Sequence, residues 1–374
     1  MHIVRLIECF DPENKGGLVP NAHYISKAQI REGHLVDIFS FTNGIPKTET
    51  FDSIRVHYIS RPRVVRTFGG VSFFKAITKA NIKPDIIHCI GSIPFGWLLP
   101  LAKRNTQAKL ILSIHGSVMP LQKEQILDVR STLNAFEYAQ LITFLAKRVD
   151  LILPIAEFIK DELISLHIPK EKIAVIHTGI NVELFNKKVA QPDSKHFTLL
   201  YVGRFAQKKG LPYLLRALAS INDQSIRLKL VGGAPRDNDF HNVISLIKKL
   251  SLEKRVDVMP PIKHTELPSI YQSANIFILP SVLEPMGKVV LEALASSLPV
   301  IVTKQGGVTE IVENKVNGTI VPPQNPQALA DAIIALKNNP TLQQKQIKNG
   351  TETAKKHDWS IIANNYSNAF SALL

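Results

Sequence analysis

The sequence predicts an α/β protein built from two doubly wound parallel sheets. Short apolar runs alternate with longer helical segments along the whole chain, and alternating βαβ units put helices on both faces of a parallel sheet. Most of the runs are continuously apolar instead of alternating, which is how strands buried on both faces read. The alternation breaks once, where Asn186-Lys187-Lys188-Val189-Ala190-Gln191-Pro192-Asp193-Ser194 is poor in apolar residues and carries a proline; this reads as a linker. The expected division is therefore 1–186, a linker over 187–196, a second domain over 197–357 and a last helical segment over 358–374.

The first array places strands at His2–Ile7, Leu35–Phe39, Ile54–Ile59, Asp85–Cys89, Lys109–Ile114, Asp150–Pro154 and Lys172–Ile176. The second places them at Phe197–Val202, Arg227–Val231, Arg255–Met259, Ile276–Leu279, Pro299–Val302 and Thr319–Val321. Segments such as Ala22–Arg31, Leu211–Ala219 and Val289–Ala295 supply the crossovers. After Pro326 the chain reads as helical to its end, with Gly350 as a stop before the final segment.

Composition agrees with this organisation. A chain of 374 residues fits two domains, and 45% hydrophobic with 20% charged residues excludes disorder, collagen and coiled coil. The formal charge is +14, divided equally at about residue 190, so it belongs to two basic bodies and not to a tail. Such an excess suits nucleic acid, an anionic membrane surface or anionic small molecules. Aromatic-interleaved basic motifs, zinc spacing and a basic tail are all missing, so nucleic acid is not expected. Cys9 and Cys89 make no disulfide framework, which favours a reduced, cytoplasmic setting. Met1–Ile7 reads as a strand and not a leader. Ile86–Ala102 lacks Asp, Glu, Lys and Arg over 17 residues but is short for a membrane span and holds two prolines.

In open α/β sheets ligands bind beyond the carboxyl ends of the strands, and the glycines and charges of this chain gather there. Glu284-Pro285-Met286-Gly287-Lys288-Val289-Val290-Leu291-Glu292 leads from a strand into a helix. Free amides and the helix dipole make such a first turn an anion site, and Gly287 lets a phosphate approach the backbone. Glu284 and Glu292 are eight residues apart, up to ~12 Å along a helix, about the span from a ribose to a sugar across a diphosphate. A carboxylate accepts two hydrogen bonds from vicinal hydroxyls. The plain structural reading is a loop cap for Glu284 and a solvated Glu292.

Gly203-Arg204-Phe205-Ala206-Gln207-Lys208-Lys209-Gly210 follows another strand. Arg204 and Lys209 can converge on a diphosphate, although the glycine spacing is neither a dinucleotide fingerprint nor a P-loop. Gly16-Gly17 is a second candidate for a phosphate or a reacting sugar, and Gly306-Gly307-Val308-Thr309-Glu310 brings Glu310 as an acceptor for sugar hydroxyls. His115 ends a strand, where it can donate to a substrate hydroxyl or stabilise developing charge. Asp237 and Asp239 form a two-carboxylate pair of the kind a divalent ion would use, but Asp239 reads more simply as the N-cap of a helix starting near Phe240. Arg61, Arg63, Arg66, Lys75, Lys79 and Lys83 run without an acid until Asp85, the three lysines at helical spacing. Such a group is either a solvated face or a docking patch for an anionic leaflet, at up to ~1 kcal/mol per charge.

Taken in order, these motifs resemble the retaining, GT-B-fold glycosyltransferases of family 4, related to glycogen synthase. The strongest element is the E-x7-E pattern of Glu284 and Glu292, followed by Ala293-Leu294-Ala295; Gly203-Arg204, Lys209-Gly210 and Gly306-Gly307-x-x-Glu310 keep the expected order. The resemblance covers essentially the whole chain. It implies two Rossmann-like domains facing a cleft, with the nucleotide-sugar donor mainly on the C-terminal one and the acceptor (glycan, glycolipid or small molecule) mainly on the N-terminal one. It implies Arg204 and Lys209 on the donor diphosphate, Glu292 on the ribose, Glu284 near the sugar and His115 near the transferred ring. Gly16, Gly17, Met286, Gly287, Lys288 and Val289 complete the implied donor site. It implies no metal or other cofactor, and a last helix from about Asp358-Trp359 that crosses back to the N-terminal domain. Two departures stand out: Thr178-Gly179-Ile180-Asn181 replaces the usual Asn-Gly-Ile/Val-Asp, and Lys288 stands where an apolar residue is usual. The rival readings are a nucleotide-sugar epimerase or phosphorylase of the same architecture and, more remotely, a nucleic-acid-binding protein.

Overall fold

The computed structural model describes residues 1–11, 18–63, 65–91, 106–118, 139–192 and 195–374, with the backbone alone over 65–68. The chain divides into two units, 1–178 with 359–374, and 179–358. In the first unit β1 (His2–Ile7), β2 (Leu35–Thr42), β3 (Lys47–Phe51), β4 (Ile54–Ser60), β5 (Ile86–Ile90), β6 (Lys109–Ile114) and β7 (Leu151–Pro154) form one sheet in the order β3-β4-β2-β1-β5-β6-β7. All neighbours are parallel except β3 on β4. Without β3 the order is 3-2-1-4-5-6, the doubly wound arrangement with a reversal between its first and fourth strands. The innermost strands carry no polarity to solvent: β5 is buried at every residue, and β1 is buried from Ile3 to Ile7.

The second unit repeats the order with β8 (Phe197–Val202), β9 (Ile226–Val231), β10 (Val256–Met259), β11 (Ile276–Leu279), β12 (Val300–Thr303) and β13 (Thr319–Val321), arranged β10-β9-β8-β11-β12-β13 and wholly parallel. The fold is therefore two Rossmann-like α/β units, each with a topological switch point, at β1/β5 and β8/β11.

Several sequence expectations need correction. The hairpin strand β3 is absent from the sequence reading. It is Lys47-Thr48-Glu49-Thr50-Phe51, a mostly exposed edge, and charged edges discourage further pairing. Its turn is Asp52-Ser53, with φ of +49° and +67°, a primed turn made without glycine and tied down by Lys27 and His23 on the Asp52 carboxylate, each at 3.0 Å. Segment 172–176 is not a strand. Its Ala174 and Ile176 amides bond to the Ile152 and Pro154 carbonyls, but only an isolated bridge forms at Ile173, because Pro154 has no N–H to return a bond. Gly350 does not stop a helix: it lies inside helix Pro340–Lys356, where a Cβ would come within 2.6 Å of the Leu294 side chain.

The boundary between units also falls earlier than 187–196. Asn181 caps helix Val182–Asn186, its Oδ1 accepting the Leu184 amide at 2.9 Å, so asparagine performs the turn role at this departure from the family pattern. Phe185 is fully buried against His264 and Tyr271. The Gln272 side chain donates to the Phe185 and Lys187 carbonyls and accepts the Val189 amide. The polar composition that reads as a linker is thus a strap held by one glutamine.

The terminal helix Trp359–Ser371 belongs to the first unit. Trp359, Ile362, Tyr366 and Phe370 share a core with Ile3, Ile86 and Ile111, and Trp359 stacks on Tyr24 with centroids 5.6 Å apart. Beneath this helix Arg5 is fully buried. It bonds to Ser26, to Gln29 Oε1 at 2.8 Å and to His88 Nδ1 at 3.2 Å, and Gln29 donates to Ser367 of the terminal helix at 3.3 Å. No carboxylate is among these partners, and burial lowers the Arg5 pKa to about 9.

Of the basic group, Arg61, Arg63, Lys75, Lys79 and Lys83 are exposed, while the Arg66 side chain lies outside the described residues. Arg61 is paired with Glu8. Helix Val65–Lys79 ends before Lys83, and Asn81 turns the chain with φ +52°; the three lysines therefore do not share one helical face. Among the described residues, no helix is long and apolar enough to cross a membrane.

Arg5→Ala is expected to destabilise the protein by about 2–4 kcal/mol, since it opens a cavity and strands several buried polar partners. Urea unfolding measures this, and an unchanged midpoint would show that the network adds nothing.

Candidate functional site

In the second unit the loops after β8, β11 and β12 meet at the β8/β11 switch point. The Lys208 carbonyl accepts the amides of Val282 and Leu283, at 2.8 and 3.4 Å, which laces the first two loops together. Gly210 ends the first loop at φ +68°, and a Cβ there would sit 1.9 Å from the Pro280 carbonyl oxygen. Gly306 occupies the third loop at φ +70°, where a Cβ would meet the Glu284 carbonyl oxygen at 2.2 Å, and the Gly307 amide donates to that same oxygen at 3.1 Å. Only glycine satisfies both the left-handed backbone and this approach.

The enclosed Glu284 carboxylate is 7% exposed. Lys209 Nζ donates to its Oε2 at 2.7 Å, and Ser281 Oγ donates to the same oxygen at 3.2 Å. Thr303 holds the Ser281 carbonyl in turn. A carboxylate this buried requires such partners, because an unpaired charge away from water is costly. Four residues on, helix Lys288–Ala295 starts from Gly287, which is left-handed. Its first bonds run from the Val290 and Leu291 amides to the Gly287 carbonyl, so the Lys288 and Val289 amides precede the helical ladder and face outward along the dipole. Burial lowers the Lys288 pKa. Met286 is buried in the core.

One turn further, Glu292 is 3% exposed. Tyr271 Oη donates to its Oε2 at 3.0 Å, and His264 Nε2 lies 3.2 Å from Oε1. Burial and the Glu292 charge hold the Tyr271 phenol well above its ordinary pKa, so it remains a donor.

The other sequence candidates take different positions. Arg204 is exposed at the start of the β8 loop, and its carbonyl is held by Tyr201 Oη at 2.8 Å. Glu310 lies half-buried in the short helix Val308–Ile311, beyond the Gly306-Gly307 turn. Asp239 is not a side-chain N-cap: Asn242 donates to its Oδ1 at 2.9 Å, and helix Phe240–Lys249 starts without a side-chain cap bond. Asp237 braces the loop after β8, accepting the Phe205 and Ala234 amides at 3.0 and 3.2 Å. Among the described residues no group of three or more His, Cys, Asp or Glu side chains is placed to hold a metal ion.

In the first unit, His115 follows β6. Asn21 Nδ2, from helix Val19–Arg31, lies 3.2 Å from His115 Nδ1. That contact assigns Nδ1 as acceptor and Nε2 as the protonated nitrogen, which is buried and has no hydrogen-bond partner among the described residues. Burial lowers the His115 pKa to about 4, so the ring is neutral near pH 7. The loop behind it is pinned by Glu162, which accepts from Ser117 Oγ at 2.6 Å and from the Val118 amide at 2.8 Å. Gly16 and Gly17 lie outside the described residues.

The sequence reading gave no site role to Ser281, Tyr271, His264, Asn21 or Glu162. Ser281 carries a legible signal, since Ser281-x-x-Glu284 has the spacing of a reciprocal serine–glutamate pair. The others act across long sequence separations and leave no local trace.

Two family models match the chain, Glycosyltransferase Family 4 over residues 15–184 and Glycosyl transferases group 1 over residues 183–353. An uncharacterized glycosyltransferase of Methanocaldococcus jannaschii is 26% identical, the alignment covering 96% of this chain and 95% of that protein. The D-inositol 3-phosphate glycosyltransferase of Corynebacterium diphtheriae is 32% identical over 52% of this chain and 49% of its own length. Among solved structures, sucrose-phosphate synthase from Thermosynechococcus elongatus superposes with a TM-score of 0.82 at 23% identity, covering 100% of this chain and 99% of that one. Anabaena HepE in complex with UDP-glucose superposes with a TM-score of 0.80 at 19% identity over 100% of both chains. The architecture is GT-B.

Two outcomes follow. Gly306→Ala is expected to cost at least about 2 kcal/mol, from the left-handed backbone and the backbone contact together; a denaturation midpoint equal to that of the parent would contradict the packing described. His115 has a folded pKa below the ordinary ~6.5. Its contribution to stability is therefore complete above pH 6.5 and is lost as pH falls towards 4. Unfolding curves between these pH values should show a smaller loss in His115→Asn than in the parent.

Proposed function

The chain belongs to the group 1 glycosyltransferases, and on that basis we propose that it transfers a hexose from a nucleoside-diphosphate sugar to a hydroxyl acceptor, with retention at the anomeric carbon and without a metal. The single observation that carries this reading is Lys209 on Glu284, 2.7 Å apart, ahead of the outward amides of helix Lys288–Ala295. An ammonium has three donors; with one on Glu284, two remain for a phosphate beside it. Glu284 then accepts from the sugar hydroxyls, and Glu292, oriented by Tyr271 and His264, accepts from the ribose. The complex of HepE with UDP-glucose supports a nucleoside-diphosphate sugar as the donor class.

As the bond from the anomeric carbon to the phosphate lengthens, negative charge grows on the departing diphosphate and positive charge on the ring. Arg204, Lys209 and the Lys288 and Val289 amides face the negative charge, so their effect increases towards the transition state. This supplies the neutralisation that a divalent ion would otherwise provide. The acceptor hydroxyl attacks from the face the diphosphate is leaving, and its proton passes to a departing phosphate oxygen; retention follows. His115, neutral and with its proton on Nε2, donates to a hydroxyl of the transferred ring. Peripheral attachment to the cytoplasmic face of a membrane, through Arg63, Lys75, Lys79 and Lys83, accompanies this proposal; co-sedimentation with anionic vesicles tests it.

Nucleoside diphosphate release from a panel of UDP- and GDP-sugars, with and without EDTA, tests the whole reading. Turnover is expected with at least one donor and unchanged by EDTA. Lys209→Ala should lower kcat/KM by about 10²–10³, the cost of removing one donor aimed at developing charge. The product anomer, read by NMR, should match that of the donor. Inversion would remove the same-face mechanism, and donor turnover yielding only an epimerised nucleotide-sugar would replace transfer with epimerisation.

A further inference from the structure

A cavity of about 480 Å³ opens in the first unit beside the carboxyl ends of β1, β2 and β4, against the β3–β4 hairpin. This is a size at which proteins hold small ligands. Its floor is aromatic: Phe10 and Phe41 are buried, and Phe51 and Tyr58 are half-buried and line it. Its rim carries Lys47, Glu49 and Arg61.

The two cations of this rim stand among three carboxylates: Glu49, the Glu8 that pairs with Arg61, and the lining Asp11. Lys47 pairs with Glu49 at 2.6 Å and lies 5.4 Å from the centre of the Tyr58 ring. Arg61 pairs with Glu8. Burial and the neighbouring Glu49 charge push the Tyr58 phenol up to about 12. An anion would meet this surplus of carboxylates. A ligand with hydroxyl groups can use both kinds of group, because the carboxylates have further lone pairs and the ammonium and guanidinium have further N–H groups. The aromatic floor wants an apolar face. One apolar face and an edge of hydroxyls describe a pyranose ring.

We propose that this cavity binds an uncharged glycosyl unit, the terminal sugar of the acceptor. The assignment rests on the transferase reading above, and it adds the acceptor's chemical class: a neutral saccharide, not a phosphorylated sugar or polyol.

Direct binding to the full chain separates this claim from turnover. The probes are maltose, cellobiose, lactose and methyl mannoside, with glucose 6-phosphate and inositol 3-phosphate as the anionic set, measured by saturation-transfer NMR and calorimetry. At least one neutral saccharide should bind. Phe51→Ala and the isosteric Glu49→Gln should each weaken it by about tenfold, the scale of one lost stacking or charged hydrogen-bond contact. No neutral saccharide binding, binding unaffected by both variants, or anionic probes bound in preference at the same residues would each overturn the proposal. Donor turnover is read separately: its absence would defeat the transferase reading, whereas turnover alongside any of those binding outcomes would defeat this assignment alone.

Discussion

The burial of the Glu284 carboxylate is the constraint on which the second unit is arranged. It can stay ionised away from water only if cationic and hydroxyl donors reach it. Lys209 comes from the loop after β8 and Ser281 from the loop after β11. These strands are neighbours although more than seventy residues separate them in the chain, because the doubly wound order returns to the middle of the sheet at that point. The switch point therefore brings together two loops that sequence keeps apart, and glycines allow a third loop to close over them. Without Lys209 the buried carboxylate would lose the cation that offsets its charge.

Buried charge is handled in two ways. Glu284 is a carboxylate surrounded by donors, one of them a cation with spare N–H groups. Arg5 is a cation buried among neutral partners: Ser26, Gln29 and His88. None of these leaves a group directed to a ligand. Their effect is to fix the sheet to helix Val19–Arg31 and, through Gln29 and Ser367, to the terminal helix. A buried charge with donors to spare suits chemistry; a buried charge consumed by its own scaffold suits fixing a geometry.

Much of this was legible in the sequence because parallel strands leave continuous apolar runs: β1, β6, β8, β11 and β13 match their predicted bounds. β3 escaped because a charged antiparallel edge has no apolar run and its turn is Asp-Ser without glycine. The strap over 187–190 read as linker because what holds it is Gln272, about eighty residues away. In the candidate site, the strand–loop–helix that carries Glu284 and Glu292 was legible since it is local in sequence. Lys209 was legible as a cation, but its partner was not. Tyr271 and His264 have no local signal: a tyrosine and a histidine near a helix read as core, and only the fold reveals that both face one carboxylate.

On the proposed reading the same topology carries two kinds of binding surface. At the β8/β11 switch point, amides ahead of a helix and a lysine with free donors create a place where negative charge is welcome. At the carboxyl edge of β1, β2 and β4, cations are present too, but Glu49 and Glu8 hold them in pairs. Net charge does not separate the two surfaces, since the chain is equally basic on both sides of its midpoint. What separates them is the local balance: helix amides join Lys209 at the first, whereas at the second Lys47 and Arg61 stand among Glu49, Glu8 and Asp11. A lysine with one buried partner retains directed capacity for a phosphate. A lysine paired at the surface beside an aromatic ring offers a phosphate little that water does not, while its paired carboxylate still accepts a hydroxyl. The difference in ligand class thus comes from that balance, and β3, which supplies Lys47 and Glu49, is the one strand among the described residues that the second sheet lacks.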